Sequence, residues 1–159
     1  MLTLIRHAES IYNYKLAKGQ VLQGLEDCGL TKNGIKQAKS LTGSYDIVFL
    51  SPMKRCVETW QHSKIKTNCV ITCPLLREYK QDICDFFIGE PQIKETESEL
   101  LNRIENIKQY LSRYKNNKCC VITHGDLIFY MTAKKIKIED IDEWFGQHLS
   151  NAESIEIEL

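Results

Sequence analysis

Apolar residues in this chain fall into short runs separated by longer stretches with helical spacing. Leu2–Arg6, Asp46–Leu50, Cys69–Cys73, Cys119–Thr123 and Glu153–Glu158 read as strands. The fourth run is apolar throughout, the pattern of a strand covered on both faces. The last alternates Ile155, Ile157 and Leu159 with glutamates, which suits an edge strand with one wet face. Between the strands, Thr31 is placed to cap a helix reaching about Thr42. Ser51-Pro52 predicts a helix from Pro52 to about Ser63, with serine as cap and proline at the first helical position. Thr96-Glu97-Ser98-Glu99 has the capping-box pattern. After it, Leu100, Leu101, Ile104, Ile107, Leu111 and Tyr114 share one helical face, so a long helix should pack on the sheet through that stripe. A further helix should start at Gly125 or Asp126. The alternation of strands and helices predicts a three-layer α/β/α sandwich around a mostly parallel sheet. In such folds ligands bind beyond the carboxyl ends of the strands.

Composition narrows the class. The chain has 159 residues, the size of one domain, so residues 1–159 are read as a single unit. Hydrophobic residues at 43% and charged residues at 26% are those of an ordinary globular protein. The net charge is zero, which argues against a nucleic-acid partner. No apolar stretch approaches the length of a membrane span, and no signal-peptide pattern opens the chain. The seven cysteines include no CxxC pair, so reduced core thiols in a cytoplasmic protein fit better than a disulfide framework or a metal cluster. Residues 1–80 carry 12 Lys/Arg against 6 Asp/Glu, an excess that would favour a phosphorylated ligand if it gathers in the fold.

The candidate chemistry lies where strands end. Arg6-His7 closes the first, Ser51-Pro52 follows the second with Arg55 just beyond, and His124-Gly125 follows the fourth. On a parallel sheet these places converge on one edge. Two arginines and two histidines gathered there repel one another unless an anion sits among them. Phosphate suits such a site, because its oxygens accept bidentate bonds from guanidinium groups and helix N-termini add N–H donors.

The segment Leu4-Ile5-Arg6-His7-Ala8-Glu9-Ser10 with Asn13 resembles the signature of the histidine phosphatase superfamily, the phosphoglycerate-mutase-like proteins. The resemblance runs on through Leu22-Gln23-Gly24 and through Gly29-Leu30-Thr31 with Gly34, Gln37 and Ala38. It continues in Ser51-Pro52 with Arg55 and Thr59, Leu76-Arg77-Glu78, Val121–Gly125 and Asn151-Ala152. It implies a phosphoglycerate-mutase-like fold with minimal insertions. It also implies His7 as the nucleophile that becomes phosphohistidine, with Arg6, Arg55 and His124 around the phosphate. Asn13 matches a further phosphate contact, and Gln23 and Gly24 a substrate-side loop. Gly125 offers a backbone N–H, and Glu78 matches the proton donor. After Glu78 the chain departs from the family's glycine-rich pattern, which leaves Asp82 and Asp85 as reserve candidates for the acid.

The chemistry of these residues agrees. A neutral imidazole is a competent nucleophile, and a backbone carbonyl on its other nitrogen would fix the tautomer. Arg6, Arg55 and a protonated His124 could stabilise the charge that develops on the transferring phosphoryl group. Glu78 could protonate the leaving group and then deprotonate water. The expected activity is therefore phosphomonoester hydrolysis on a phosphorylated small molecule or phosphoprotein, with no metal or cofactor. The short insertions and the end of the chain after the last strand favour hydrolysis over a phosphomutase. A non-catalytic phospholigand-binding module is the reading from another class. Oligomeric state is left open. His62 and His148 are expected at the surface and Cys84 as structural, while Phe86 and Phe87 are candidates for an apolar wall beside the substrate.

Overall fold

The computed structural model describes residues 1–139 and 141–158. In chain order the elements are β1 (Leu2–Arg6), α1 (Ile11–Ala17), α2 (Lys32–Ser40), β2 (Thr42–Ser44), β3 (Ile47–Leu50), α3 (Lys54–His62), β4 (Lys64–Lys66) and β5 (Val70–Thr72). There follow α4 (Glu97–Ser112), β6 (Cys119–Thr123), α5 (Gly125–Thr132), β7 (Lys134–Ile138), β8 (Ile141–Phe145) and β9 (Ser154–Ile157). The five strands expected from the apolar runs form one sheet in the order β5-β3-β6-β1-β9. Its first four strands are parallel, and β9 runs antiparallel along the edge against β1. Leu159, the last residue of the expected alternation, lies outside the described residues.

Side chains on the strands alternate between two cores. Leu2, Leu4, Phe49, Cys119 and Val121 face α4 and α5, meeting Leu100, Ile104, Ile107, Leu111, Leu127 and Ile128. Ile5, Val48, Leu50, Cys120 and Ile122 face the other way, toward Cys56 of α3 and toward Leu41 and Ile65. The uniform apolarity of β6 follows, since both of its faces are covered. Six of the seven free cysteines are buried, four of them in these two cores and Cys28 and Cys84 in a smaller cluster with Tyr12 and Leu25, and Cys69 is exposed.

Two boundaries differ from expectation. α3 begins at Lys54, and Ser51 does not cap it. The Ser51 hydroxyl is held instead by His124, and the amide of Lys54 is taken by the Asp27 carboxylate at 2.7 Å. α2 stops at Ser40 because Thr42–Ser44 turns into a short strand paired with β4. Glu95, just before the α4 cap, forms an ion pair with Arg103 at 2.7 Å. The capping box at Thr96 and Glu99 is formed as read. α1 and the β7–β8 hairpin had no counterpart in the periodicity reading.

Candidate active site

Strand register sets the first geometry. Arg6 lies beside Thr123 in the β1–β6 pair, and Leu50 lies beside Ile122 in the β3–β6 pair. The next residues, His7, Ser51 and His124, therefore leave the sheet together at its carboxyl edge. A cleft of ≈ 230 Å³ opens there. Its floor and walls include Arg6, His7, Asn13, Arg55, Glu78 and Gly125, and also Tyr12, Asp82, Asp126 and His148.

His7 is buried. Its Nδ1 lies 2.8 Å from the carbonyl of Ala8, which fixes that nitrogen as the donor and leaves a lone pair on Nε2. Arg55 Nε donates to that Nε2 at 3.3 Å. Burial, followed by the positive charge of Arg55, holds the His7 pKa well below its ordinary value. The ring is thus neutral, with its Nε2 lone pair turned to the Arg55 guanidinium. Asn151 Nδ2 donates to the His7 carbonyl, and Ala152 N closes on the same oxygen, so the histidine backbone is pinned as well.

Arg6 donates through Nη1 to the carbonyl of Leu149 at 2.7 Å, while its buried Nε has no partner in the structure. A buried donor without an acceptor is costly, and an anion in the cleft would supply one. Gly125 matters here through its missing side chain. A Cβ on it would stand 3.1 Å from Arg6 Nε and 3.2 Å from Cζ, displacing the guanidinium. The amide oxygen of Asn13 is occupied by Ser10 and by Asn151 Nδ2, so its NH₂ is the group left for a ligand.

Glu78 reaches across to the start of α5. Its Oε1 accepts from Leu127 N at 2.8 Å and Tyr79 N at 2.9 Å, and its Oε2 accepts from Asp126 N at 3.2 Å. His124 is the N-cap residue of that helix but caps nothing with its side chain. The Glu78 carboxylate does so in its place. Burial, then the charges of Asp126 and Asp85, pushes the Glu78 pKa up to about 7, against the pull of Arg55.

Several expectations require correction. His124 is fully buried behind His7, ring centroids 5.2 Å apart, and does not line the cleft. Its Nε2 shares a 2.8 Å hydrogen bond with Ser51 Oγ. Burial, then the charge of Arg55, lowers its pKa well below the usual value, so it is neutral rather than protonated. Asp85, one reserve acid, is at the cleft lining, but its carboxylate is paired with Arg55 at 3.0 Å and buried with it. Asp82, the other reserve, is exposed on the cleft wall. Gln23 and Gly24 form an exposed turn outside the cleft lining. Phe86 is buried and Phe87 packs under the Arg77 guanidinium, so neither forms an apolar wall to the cleft. His148 is exposed as expected, yet it stacks on Phe129 and lines the cleft. Tyr12 and Asp126 line the cleft without having been singled out for it. Ser51 was read as a helix cap and as part of the motif with Arg55, and its bond to His124 depends on a register that no local pattern reports.

Among the described residues, no group of three or more His, Cys, Asp or Glu side chains is arranged to hold a metal ion. No described helix is long and apolar enough to cross a membrane.

Comparison with known proteins identifies the family and the fold. The family model described as histidine phosphatase superfamily (branch 1) matches residues 2–85, which include Arg6, His7, Arg55 and Glu78. Among solved structures, alpha-ribazole phosphatase from Shigella flexneri is similar at a TM-score of 0.61 and 22% identity, covering 79% of this chain and 74% of that one. Phosphoserine phosphatase from Entamoeba histolytica, solved with 3-phosphoglyceric acid, is similar at 0.54 and 26%, covering 80% and 75%. Phosphoglycerate mutase from Thermus thermophilus is similar at 0.55 and 24%, covering 81% and 80%. No curated protein matches the sequence.

Proposed function

This chain belongs to branch 1 of the histidine phosphatase superfamily, and from that premise we propose that it is a phosphomonoester hydrolase that works through a phosphohistidine on His7. The observation that carries the reading is the state of His7: neutral, held at Nδ1 by the Ala8 carbonyl, with its Nε2 lone pair beside the Arg55 guanidinium. Nucleophile and anion-binding group are thus built into one contact.

In the first half-reaction, His7 Nε2 attacks phosphorus. An N–P bond forms, the ester P–O bond breaks, and the leaving alkoxide takes a proton from Glu78. Arg6, Arg55, the Asn13 amide and the Gly125 N–H meet the oxygens of the transferring group, where charge spreads in a loose transition state. The dianion also brings negative charge toward His124, which raises that ring's proton affinity and lets it share in the stabilisation. In the second half-reaction, Glu78 takes a proton from water, water oxygen bonds to phosphorus, and the N–P bond breaks to release inorganic phosphate and neutral His7. The protein returns to its starting state.

The cleft wall favours hydrolysis over mutase chemistry. A mutase must hold a second phosphoryl group and keep water from the phosphoenzyme. Beyond the arginine floor this cleft presents the Asp82 and Asp126 carboxylates, which repel a second anion. The substrate class supported is a phosphomonoester whose leaving group bears no further phosphate.

The test is turnover of an aryl phosphate, with and without EDTA, beside a bisphosphorylated sugar acid. The aryl ester is expected to be hydrolysed equally with and without chelator, with no mutase product from the bisphosphate. Tight phosphate binding without turnover by the wild type would make the chain a binding module and sink the enzyme reading.

A further inference from the structure

Arg55 is more tightly held than its role toward phosphate requires. Its guanidinium makes three separate contacts: Nε to His7 Nε2 at 3.3 Å, Nη1 to the Cys84 carbonyl at 2.7 Å and Nη2 to Asp85 Oδ1 at 3.0 Å. Asp85 is itself fixed. Its Oδ2 accepts from Asp82 N at 2.9 Å and Gln81 N at 3.1 Å, and its own carbonyl accepts from Arg77. A chain of contacts therefore runs from the backbone of residues 81–85 through Asp85 and Arg55 to the nucleophilic nitrogen. Glu78 stands at the start of the same loop.

The charge of Asp85 is otherwise out of place. A carboxylate buried beside an anion site opposes anion binding, and a buried ion pair is weak evidence of stability. Fixing the direction of Arg55 is what it returns. A guanidinium held at both Nη atoms has one orientation, with its Nε–H toward His7. A free one would swing among several rotamers and lose the shared contact.

We propose that Asp85 is a positioning residue of the reaction, acting through Arg55 to align the phosphate-binding guanidinium with the Nε2 of His7. The inference rests on the phosphatase reading. It goes beyond that reading by assigning a function to an acid at the cleft lining whose two carboxylate oxygens are taken by Arg55 and by backbone amides.

Asp85→Asn separates orientation from charge, because the two predict opposite signs. Charge alone predicts tighter anion binding once the carboxylate is gone. Positioning predicts a kcat lower by about a hundredfold and weaker binding of inorganic phosphate, by about tenfold in calorimetry. A variant with kcat within about threefold of wild type, binding phosphate as tightly or more tightly, would overturn the assignment. Circular dichroism and thermal melting check that the variant is folded. If Asp85→Asn does not fold, Asp85→Glu carries the test. It keeps the ion pair but shifts Arg55 by about a methylene, so kcat should fall about tenfold while phosphate affinity changes by less than about threefold. Full kcat in that variant would equally overturn the proposal. A wild type inactive on every ester sinks the phosphatase reading itself. An active wild type with an indifferent Asp85 variant sinks only the positioning role.

Discussion

The residues of the cleft are tuned in opposite directions by the same burial. Taking an imidazole out of water favours its neutral form, and taking a carboxyl out of water favours its protonated form. His7 is therefore a free base and Glu78 a ready acid at one pH, which is the pairing that the first half-reaction needs. The sign for activity follows. Glu78 must carry its proton to serve the leaving group, so kcat/KM should fall as pH rises through about 7. The acid limb should lie well below the ordinary histidine pKa, because His7 resists protonation. A pH–rate profile of the wild type against Glu78→Gln checks this. The variant should be slower by about 10²–10⁴ and should lack the basic limb. A basic limb retained in Glu78→Gln would move the acid elsewhere, with exposed Asp82 next in line.

At the scale of elements, two helices that begin at the cleft are capped by carboxylates distant in sequence. Asp27 meets the first amide of α3, and Glu78 meets the second and third amides of α5. Neither cap follows from a local pattern, which is why Ser51-Pro52 suggested a start two residues too early. Thr31 and Thr96 cap their own helices and were legible for that reason. The same distinction holds for strands. The five sheet strands were readable because burial on one or both faces imposes a pattern, whereas β2 and β4 are three residues each and β7–β8 is largely exposed. The α5 cap gives Glu78 a structural duty beside its chemical one, and the two can be separated. Glu78→Gln keeps an oxygen for the helix amides and should melt close to wild type. Glu78→Ala loses the acceptor and should be less stable by about 1 kcal/mol in denaturant unfolding. Equal stability of the two variants would show that α5 does not depend on this cap.

For the whole molecule, what the sequence could convey was the sheet edge to which the chemistry would come. Arg6, His7, Arg55 and Glu78 gather there because three parallel strands stop in register and the chain after β5 folds back over their ends. What it could not convey was depth. His124 comes to the same edge but sits behind the nucleophile, and Asp85 lies buried at the cleft lining with its carboxylate tied to Arg55. Depth is decided by packing across elements, such as the cluster of Tyr12, Leu25, Cys28 and Cys84 that carries the 81–85 turn inward. Gln23 and Gly24 match a family motif, yet their turn is exposed and outside the cleft lining. The architecture as a whole serves one event, the transfer of a phosphoryl group to a nitrogen at the centre of that edge. The direct measurement is to mix the protein with an aryl phosphate, quench in alkali within a turnover, and map the modification by mass spectrometry. One phosphoryl group on His7, stable in alkali, lost in acid and absent from His7→Ala, is the predicted result. Turnover that persists in His7→Ala, with no phosphohistidine trapped in the wild type, would contradict the account.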